Sequence, residues 1–250
     1  MKAMIFAAGL GTRLKPLTDH MPKALVPIGG KPLLEIVIKR LMQAGFDDLI
    51  INIHHFADQI EEWARTSDFM AQHGDALKIH FSDERKDLLE TGGGVRHARP
   101  LLRGCDRFLI HNVDILSNVN LQAFYAYGQG AVATLLVSDR PTQRYLLFND
   151  DMRLVGWTNL KTGELKSPYP DLIPHRCHRL AFAGIHQMDT SILPLMDAWP
   201  DHFSIIDFYL SLCAKYKIHA YIQPGLRLMD VGKLNTLAEA ETFANTYLCI

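Results

Sequence analysis

The chain has 250 residues, 48% of them hydrophobic and 21% charged, enough apolar material for one large domain with a small lobe attached. Its 26 basic and 27 acidic residues leave a formal charge of −1, so no basic field exists to hold a duplex; nucleic acid is not an expected partner, and any phosphate chemistry rests on a local cluster of cations. Cys105, Cys177, Cys213 and Cys249 are far apart with no C-x-x-C pair, which points to reduced thiols, and no run has the shape of a signal peptide or a bilayer span. The expectation is a cytoplasmic protein without a membrane partner, a monomer or small homo-oligomer.

Along the chain, short apolar runs alternate with amphipathic stretches. Residues 4–8 read as a first strand. Residues 32–44 follow as a helix, with Leu33, Leu34, Val37, Leu41 and Met42 near helical spacing. Strands are then predicted over 49–53, 77–81, 108–111 and 131–137, with helices over 57–66, 93–102 and 121–127 between them. This alternation predicts an α/β, doubly wound, mostly parallel sheet.

Beyond residue 137 the pattern loosens. Residues 145–148 and 153–157 flank Asn149-Asp150-Asp151 and predict a hairpin. A polar stretch over 159–179 leads to a returning strand at 180–187, a helix at 205–215 with Ser204 as its N-cap, a strand at 217–222 and a closing helix at 233–247. We read 1–250 as a single domain: a first half over 1–137, then 138–250 with a small mixed lobe and the closing helix.

The first strand runs into Gly9-Leu10-Gly11-Thr12-Arg13, at the strand end where such sheets bind ligands and where glycine lets backbone N–H groups approach phosphate. A dinucleotide fingerprint would need glycine at position 14, where Leu14 stands, and an acidic residue after the second strand, where the chain reads Ile53-His54-His55. A phosphate loop of the ATPase kind needs Gly-Lys-Ser/Thr, which does not occur. What distinguishes this loop is its cations, Arg13 within it and Lys23 in Met21-Pro22-Lys23-Ala24-Leu25-Val26-Pro27. A triphosphate carries about four negative charges, and expelling part of it as pyrophosphate calls for fixed positive groups.

Ala7-Ala8-Gly9-Leu10-Gly11-Thr12-Arg13-Leu14-Lys15-Pro16 followed by Pro22-Lys23-Ala24-Leu25-Val26-Pro27 resembles the two-part signature of the sugar-1-phosphate nucleotidyltransferases. The likeness continues at Gly30-Lys31-Pro32-Leu33-Leu34, Thr91-Gly92-Gly93-Gly94, Asn112-Val113-Asp114, Phe182-Ala183-Gly184-Ile185 and Asp230-Val231-Gly232. It implies a nucleoside triphosphate and a sugar 1-phosphate as partners and Mg2+ as cofactor. It also implies that Ala8, Gly9, Gly11 and Thr12 wrap the nucleotide, Arg13 holds the β- and γ-phosphates, and Lys23 reaches the α-phosphate. Glu90 and Gly93 would read the base, with Thr91 doubling as a helix cap; Asn112 and Gly184 would face the sugar phosphate; Asp114 and Asp230 would hold the metal. Each Asp also fits an ordinary turn at a strand end. Val113 stands where the family commonly has glycine, which bears on how closely a ligand can approach the backbone there.

Within the family, the Leu-Glu-Thr-Gly-Gly-Gly run and the short C-terminal part are most similar to uridylyltransferases acting on N-acetylmuramate 1-phosphate in cell-wall recycling. Guanylyl transfer to a mannose or heptose 1-phosphate is the alternative. A catalytically silent sugar-nucleotide sensor is a third, opposed by the joint presence of Arg13, Lys23, Asp114 and Asp230. His175-Arg176-Cys177-His178 is not read as a zinc site, since it lacks a second ligand pair.

Overall fold

The apolar runs fold as strands buried on both faces, as a parallel sheet requires. The computed structural model describes residues 1–128 and 130–248. In chain order it contains β1 (Lys2–Phe6), the short strands β2 (Pro27–Ile28) and β3 (Lys31–Pro32), α1 (Leu33–Gln43), β4 (Asp48–Ile53), α2 (Ala57–Thr66), α3 (Asp68–His73), β5 (Lys78–Asp83) and α4 (Glu90–Ala98). There follow β6 (Arg107–Asn112), β7 (Ile115–Ser117), α5 (Leu121–Tyr127), β8 (Ala133–Ser138), β9 (Arg144–Phe148), β10 (Leu154–Asn159) and β11 (Glu164–Lys166). The chain closes with β12 (His178–Asp189), α6 (Ile205–Leu212), β13 (Ile218–Tyr221), β14 (Leu228–Asp230) and α7 (Leu237–Tyr247).

Ten strands form the main sheet. β5, β4, β1 and β6 lie side by side and parallel, with Ile5 of β1 opposite Ile51 of β4 and His111 of β6. β12 runs against β6, β8 runs against β12, and β13 lies parallel to β8. β9 pairs with the first residues of β12, and β10 and β11 continue from it as an antiparallel lobe. Only β12 and β10 therefore point opposite to β1 among the ten strands, so the α/β, mostly parallel expectation holds; the Asn149-Asp150-Asp151 turn joins β9 and β10 as the predicted hairpin, and β11 makes the lobe an antiparallel meander where a mixed lobe was expected.

Period-two alternation sorts the core into two layers. Ala3, Ile5, Leu49, Ile51 and Leu109 face α1, α2 and α7, while Met4, Ile50, Phe108 and Ile110 face α4 and α6. Helix α1 buries Leu33, Leu34, Ile36, Val37, Ile38 and Leu41 against the first layer. At about 25 cal/mol per Å² of apolar area removed from water, such stripes dominate the stabilisation of both layers.

Several boundaries differ from expectation. The helix predicted over 93–102 starts at Glu90 and ends at Ala98, and the closing helix starts at Leu237, after a short 3-10 turn over Leu234–Thr236. The polar stretch over 159–179 holds β11 and a 3-10 turn at Pro174–Arg176. β7 has no counterpart in the sequence reading because three residues carry no readable period, whereas β14 falls on the apolar run that ends in Asp230; among the described residues the two strands pair with each other. Cys105, Cys177 and Cys213 are free thiols; Cys249 lies outside the described residues.

Candidate active site

β1 has β4 and β5 on one side and β6 on the other, so strand order reverses beside it. At such a switch point the crevice outside the carboxyl ends of the strands is the expected ligand site. A cleft of about 450 Å³ lies there, walled by residues 6–13, by Lys23, Asn52 and Glu84, by Glu90 and Thr91, by Asn112, Val113 and Asp114, and by Gly232.

The loop after β1 is shaped by its glycines. Gly11 sits at φ +63°, and a Cβ there would stand 2.8 Å from Thr18 Cγ2. Its carbonyl accepts from the Leu14 N–H at 2.8 Å and from the Thr18 hydroxyl at 2.9 Å, which curls the loop tightly. Gly9 has open space on its side-chain face and stands in the cleft wall. Thr12 and Arg13 follow on an exposed turn.

Lys23 is only 8% exposed and donates to the Asp114 carboxylate. Each charge thus has its counter-charge at hydrogen-bonding distance, the strong form of such a contact. Asp114 is set against β1 because the Val113 N–H donates to the Phe6 carbonyl at 3.1 Å, extending the β1/β6 ladder. The Val113 side chain is buried in the core and its φ is negative, so valine in place of glycine leaves the backbone edge of the cleft intact.

Asp230, exposed at the end of β14, is carried beside Asp114 by the β7/β14 pair, in which Asp230 opposes Ile115 and the Val231 N–H donates to the Asp114 carbonyl at 2.8 Å. Gly232 packs between the Asp230 carboxylate and the Arg13 guanidinium: a Cβ there would lie 2.8 Å from Asp230 Oδ1 and 2.9 Å from an Arg13 terminal nitrogen. Gly184, at φ +73°, forms a bulge in β12, and a Cβ there would lie 3.0 Å from Asn112 Nδ2. Gly184 thus backs Asn112 and does not itself wall the cleft.

Two sequence readings need correction. Gly93 does not face the cleft: a Cβ on it would collide with the Asp201 carbonyl, and one on Gly92 would collide with the Phe203 ring, so both glycines serve packing. Thr91 does not cap its own helix; its hydroxyl accepts from the Ile205 N–H at 2.9 Å, joining α4 to the start of α6, where Ser204 is the N-cap as expected. Glu90 does line the cleft, at φ +59°, a left-handed backbone that non-glycine residues adopt only under constraint.

Sequence reasoning missed Asn52 and Glu84. Asn52 Oδ1 accepts from the N–H groups of Ala7 and Ala8 at 2.7 and 3.2 Å, and its Nδ2 donates to Glu84 Oε1 at 2.8 Å. Glu84 Oε2 accepts from the Leu89 N–H at 3.3 Å, and burial pushes its carboxyl above the ordinary range while the Asn52 bond pulls it down. The signal available was a polar residue inside the apolar run 49–53. Ala8 accordingly contributes no free N–H to a ligand.

A larger concavity of about 750 Å³ opens between the end of α4 and residues 190–201. Two of its three arginines are paired with carboxylates, Arg96 with Asp201 at 2.7 Å and Arg99 with Asp197 at 2.8 Å, and with Arg103 it still holds none of the strand-end groups above. The first cleft is the stronger candidate on chemistry.

Comparison with known proteins agrees with the geometry. A family model described as "Nucleotidyl transferase" matches residues 2–146. The chain is 45% identical over 112 residues to an "N-acetylmuramate alpha-1-phosphate uridylyltransferase" of Caulobacter vibrioides, a stretch covering 45% of each chain. It is 27% identical over 245 residues, 93% of this chain and 62% of the other, to a "Probable mannose-1-phosphate guanylyltransferase 2" of Arabidopsis thaliana. The chain spans about half the length of the first curated relatives it matches. Among solved structures, a UDP-glucose pyrophosphorylase from Acinetobacter baumannii superposes with a TM-score of 0.77 at 18% identity, covering 97% of this chain and 92% of that one, which is a likeness of fold.

Proposed function

Since the chain belongs to the nucleotidyl transferase family, we propose that it condenses a nucleoside triphosphate with a sugar 1-phosphate, giving a nucleotide sugar and pyrophosphate. The observation that carries this reading is the cleft at the β1/β6 reversal, where a glycine loop, Arg13, Lys23 and Asp114 meet. An oxygen of the sugar phosphate attacks the α-phosphorus as the bond to the β-phosphate breaks. The attacking phosphate is already an anion near neutral pH, so no general base is needed, and catalysis is positioning and charge neutralisation. Loop N–H groups from Gly9 onward and Arg13 hold the departing phosphates; Lys23, drawn from Asp114, follows charge onto the α-phosphate.

Among the described residues no three His, Cys, Asp or Glu side chains converge as a ready-made metal cage. Magnesium, which keeps waters and binds through one or two carboxylates plus substrate phosphates, fits the adjacent Asp114 and Asp230. Held there with the nucleotide, it would withdraw charge from the α-phosphate.

In this reading residues 1–137 supply most of the nucleotide site and 138–250 most of the sugar-phosphate site, with Asn112 reaching the acceptor side and Gly184 packed behind it. UTP and N-acetylmuramate 1-phosphate are the favoured pair, supported by the names of two relatives that are 45% and 42% identical over 112 and 125 residues. Guanylyl transfer to a mannose 1-phosphate is the second reading, supported by the guanylyltransferase that aligns over nearly the whole chain. We infer a cytoplasmic monomer or small homo-oligomer, a reading supported by cysteines without disulfide-like spacing. Separately, no helix among the described residues is long and apolar enough to cross a membrane. The test is pyrophosphate release over a grid of nucleoside triphosphates and sugar 1-phosphates with magnesium. The expected maximum is UTP with N-acetylmuramate 1-phosphate. A faster GTP and mannose or heptose 1-phosphate pair would replace the substrates, and no turnover with any pair would remove the activity.

A further inference from the structure

Asn52 is 4% exposed and Glu84 2%, and each belongs to a segment that ends at the cleft: Asn52 to the end of β4, Glu84 to the residue after β5. A buried carboxamide and a buried carboxylate are costly unless every polar atom is matched. Here the matching is directional. Two N–H groups of the glycine loop converge on Asn52 Oδ1, so the amide cannot flip without aiming its own N–H at them, and Nδ2 is thereby turned to Glu84. The second oxygen of Glu84 takes the Leu89 N–H, one residue before Glu90. Gly94 permits the approach, since a Cβ there would lie 2.9 Å from Glu84 Oε1 and 3.4 Å from Asn52 Nδ2. His54 Nδ1 meets the Glu84 carbonyl at 2.6 Å and anchors the carboxylate's own backbone.

One polar bridge therefore joins the phosphate-side loop to the segment at the start of α4 that carries Glu90 and Thr91. Resting on the nucleotidyl-transfer reading above, we propose that Asn52 and Glu84 are a positioning pair: they fix the loop at Ala7 and Ala8 relative to the opposite wall of the cleft, and so set affinity for the nucleoside triphosphate and not for the sugar phosphate. The pair touches no reacting atom. It consumes the Ala7 and Ala8 donors and leaves Gly9 and the residues after it pointed at the ligand. Without it the loop keeps its glycines but loses its reference to α4.

The polarity of the bridge can be reversed. In Asn52→Asp, two carboxylates face each other across what was a hydrogen bond. In Asn52→Asp combined with Glu84→Gln, the carboxylate now at position 52 accepts from the N–H groups of Ala7 and Ala8 and from the carboxamide now at position 84, whose oxygen accepts from the Leu89 N–H. The measurements are KM for each substrate, kcat, magnesium–UTP binding without acceptor, and melting temperature, for wild type, both singles and the double. Expected for Asn52→Asp at pH 8 is a rise of about tenfold in nucleotide KM and in the UTP dissociation constant, the effect of losing a hydrogen bond to a charged group, with the sugar-phosphate KM unchanged. The double is expected to return within about threefold of wild type, as all bonds are remade. Lowering the pH toward 6 is expected to restore Asn52→Asp selectively, as the two acids come to share a proton.

A double no better than the single, equal rises in both KM values, or a nucleotide KM unchanged in Asn52→Asp would each overturn the proposal. If Asn52→Asp fails to fold, the double alone decides by the same threefold criterion, and a double that also fails to fold overturns it. If wild type turns over no pair in the grid, the activity falls while UTP binding still judges the bridge; if wild type binds no nucleotide, both fall.

Discussion

Lys23 donates to Asp114, so in the proposed reaction an entering phosphate would compete with a carboxylate for an ammonium that is already desolvated in the cleft wall. That cost is met by folding and not by the ligand, which is the sense in which such a group is preorganised. Two buried histidines face the opposite situation. Burial holds His111 down to about 4 and His186 down to about 3. His186 Nδ1 meets the Tyr209 hydroxyl at 2.6 Å. In the unfolded chain each titrates near 6.5, so between pH 6.5 and about 4 the unfolded state binds protons that the folded state refuses. Their contribution to stability is whole above pH 6.5 and is lost as pH falls through that window, with a limiting slope of about 1.4 kcal/mol per pH unit for each histidine. Glu84 acts in the other sense: its raised carboxyl contributes stability at low pH that is lost as pH rises through its folded value. The readout is therefore a difference between proteins. Urea unfolding of wild type and of His186→Met with Tyr209→Phe, at pH 7 and pH 5, should show a slope shallower by about one proton in the variant. Equal slopes would show that His186 is not kept neutral by burial.

The start of α4 shows why an element's sequence can mislead about its job. Leu-Glu-Thr-Gly-Gly-Gly reads as a base-binding turn, and Glu90 and Thr91 do stand in the cleft wall. Gly92 and Gly93 answer instead to the segment that leads into α6. Gly92 donates to the Phe203 carbonyl at 2.8 Å, and neither Gly92 nor Gly93 has room for a Cβ against residues 201–203. Thr91 supplies an acceptor to the first turn of α6, where four backbone N–H groups lack intrahelical partners. From this arrangement Thr91→Val should cost about 1 kcal/mol, the usual loss of a cap. Gly92→Ala should cost at least about 2 kcal/mol, because Phe203 sits in the second core layer and overpacking there cannot relax cheaply. Chemical denaturation of both variants checks these values. A Gly92→Ala protein as stable as wild type would mean that the α4/α6 junction is loose.

At the scale of the molecule, the proposed metal site depends on strands that pair nowhere else. β7 and β14 bring Asp114 and Asp230 side by side from distant parts of the chain. Asp114 and Asp230 would hold a divalent ion there, and it would offset their negative charge and draw charge from substrate phosphates. Asp114→Asn and Asp230→Asn should each lower turnover and raise the magnesium concentration needed for half-maximal rate. The double should be hardly worse than the poorer single, since residues acting as a unit are not additive. Asp114→Asn should also lose about 1 kcal/mol of stability that Asp230→Asn keeps, because it strips Lys23 of its partner. A magnesium titration with parallel denaturation curves checks all of this. Additive losses, or an unchanged magnesium requirement in both singles, would separate the two aspartates.

Periodicity and punctuation determined the parts that depend on neighbours in sequence: the alternating strands and helices of the first half, the hairpin around Asn149-Asp150-Asp151, the Ser204 cap, and the glycine loop after the first strand. These are legible because the local backbone and the burial stripe are written within a few residues. Tertiary structure alone decided what lies across the sheet. It placed β12 against β6, built β7 from a run too short to show a period and paired it with β14, turned Gly93 away from the cleft, and made Asn52 and Glu84 a bridge between two of its walls. The reason is physical: a hydrogen bond between strand ends, or the space a glycine leaves for another segment, depends on which strands become neighbours, and that follows from burying both faces of the sheet together.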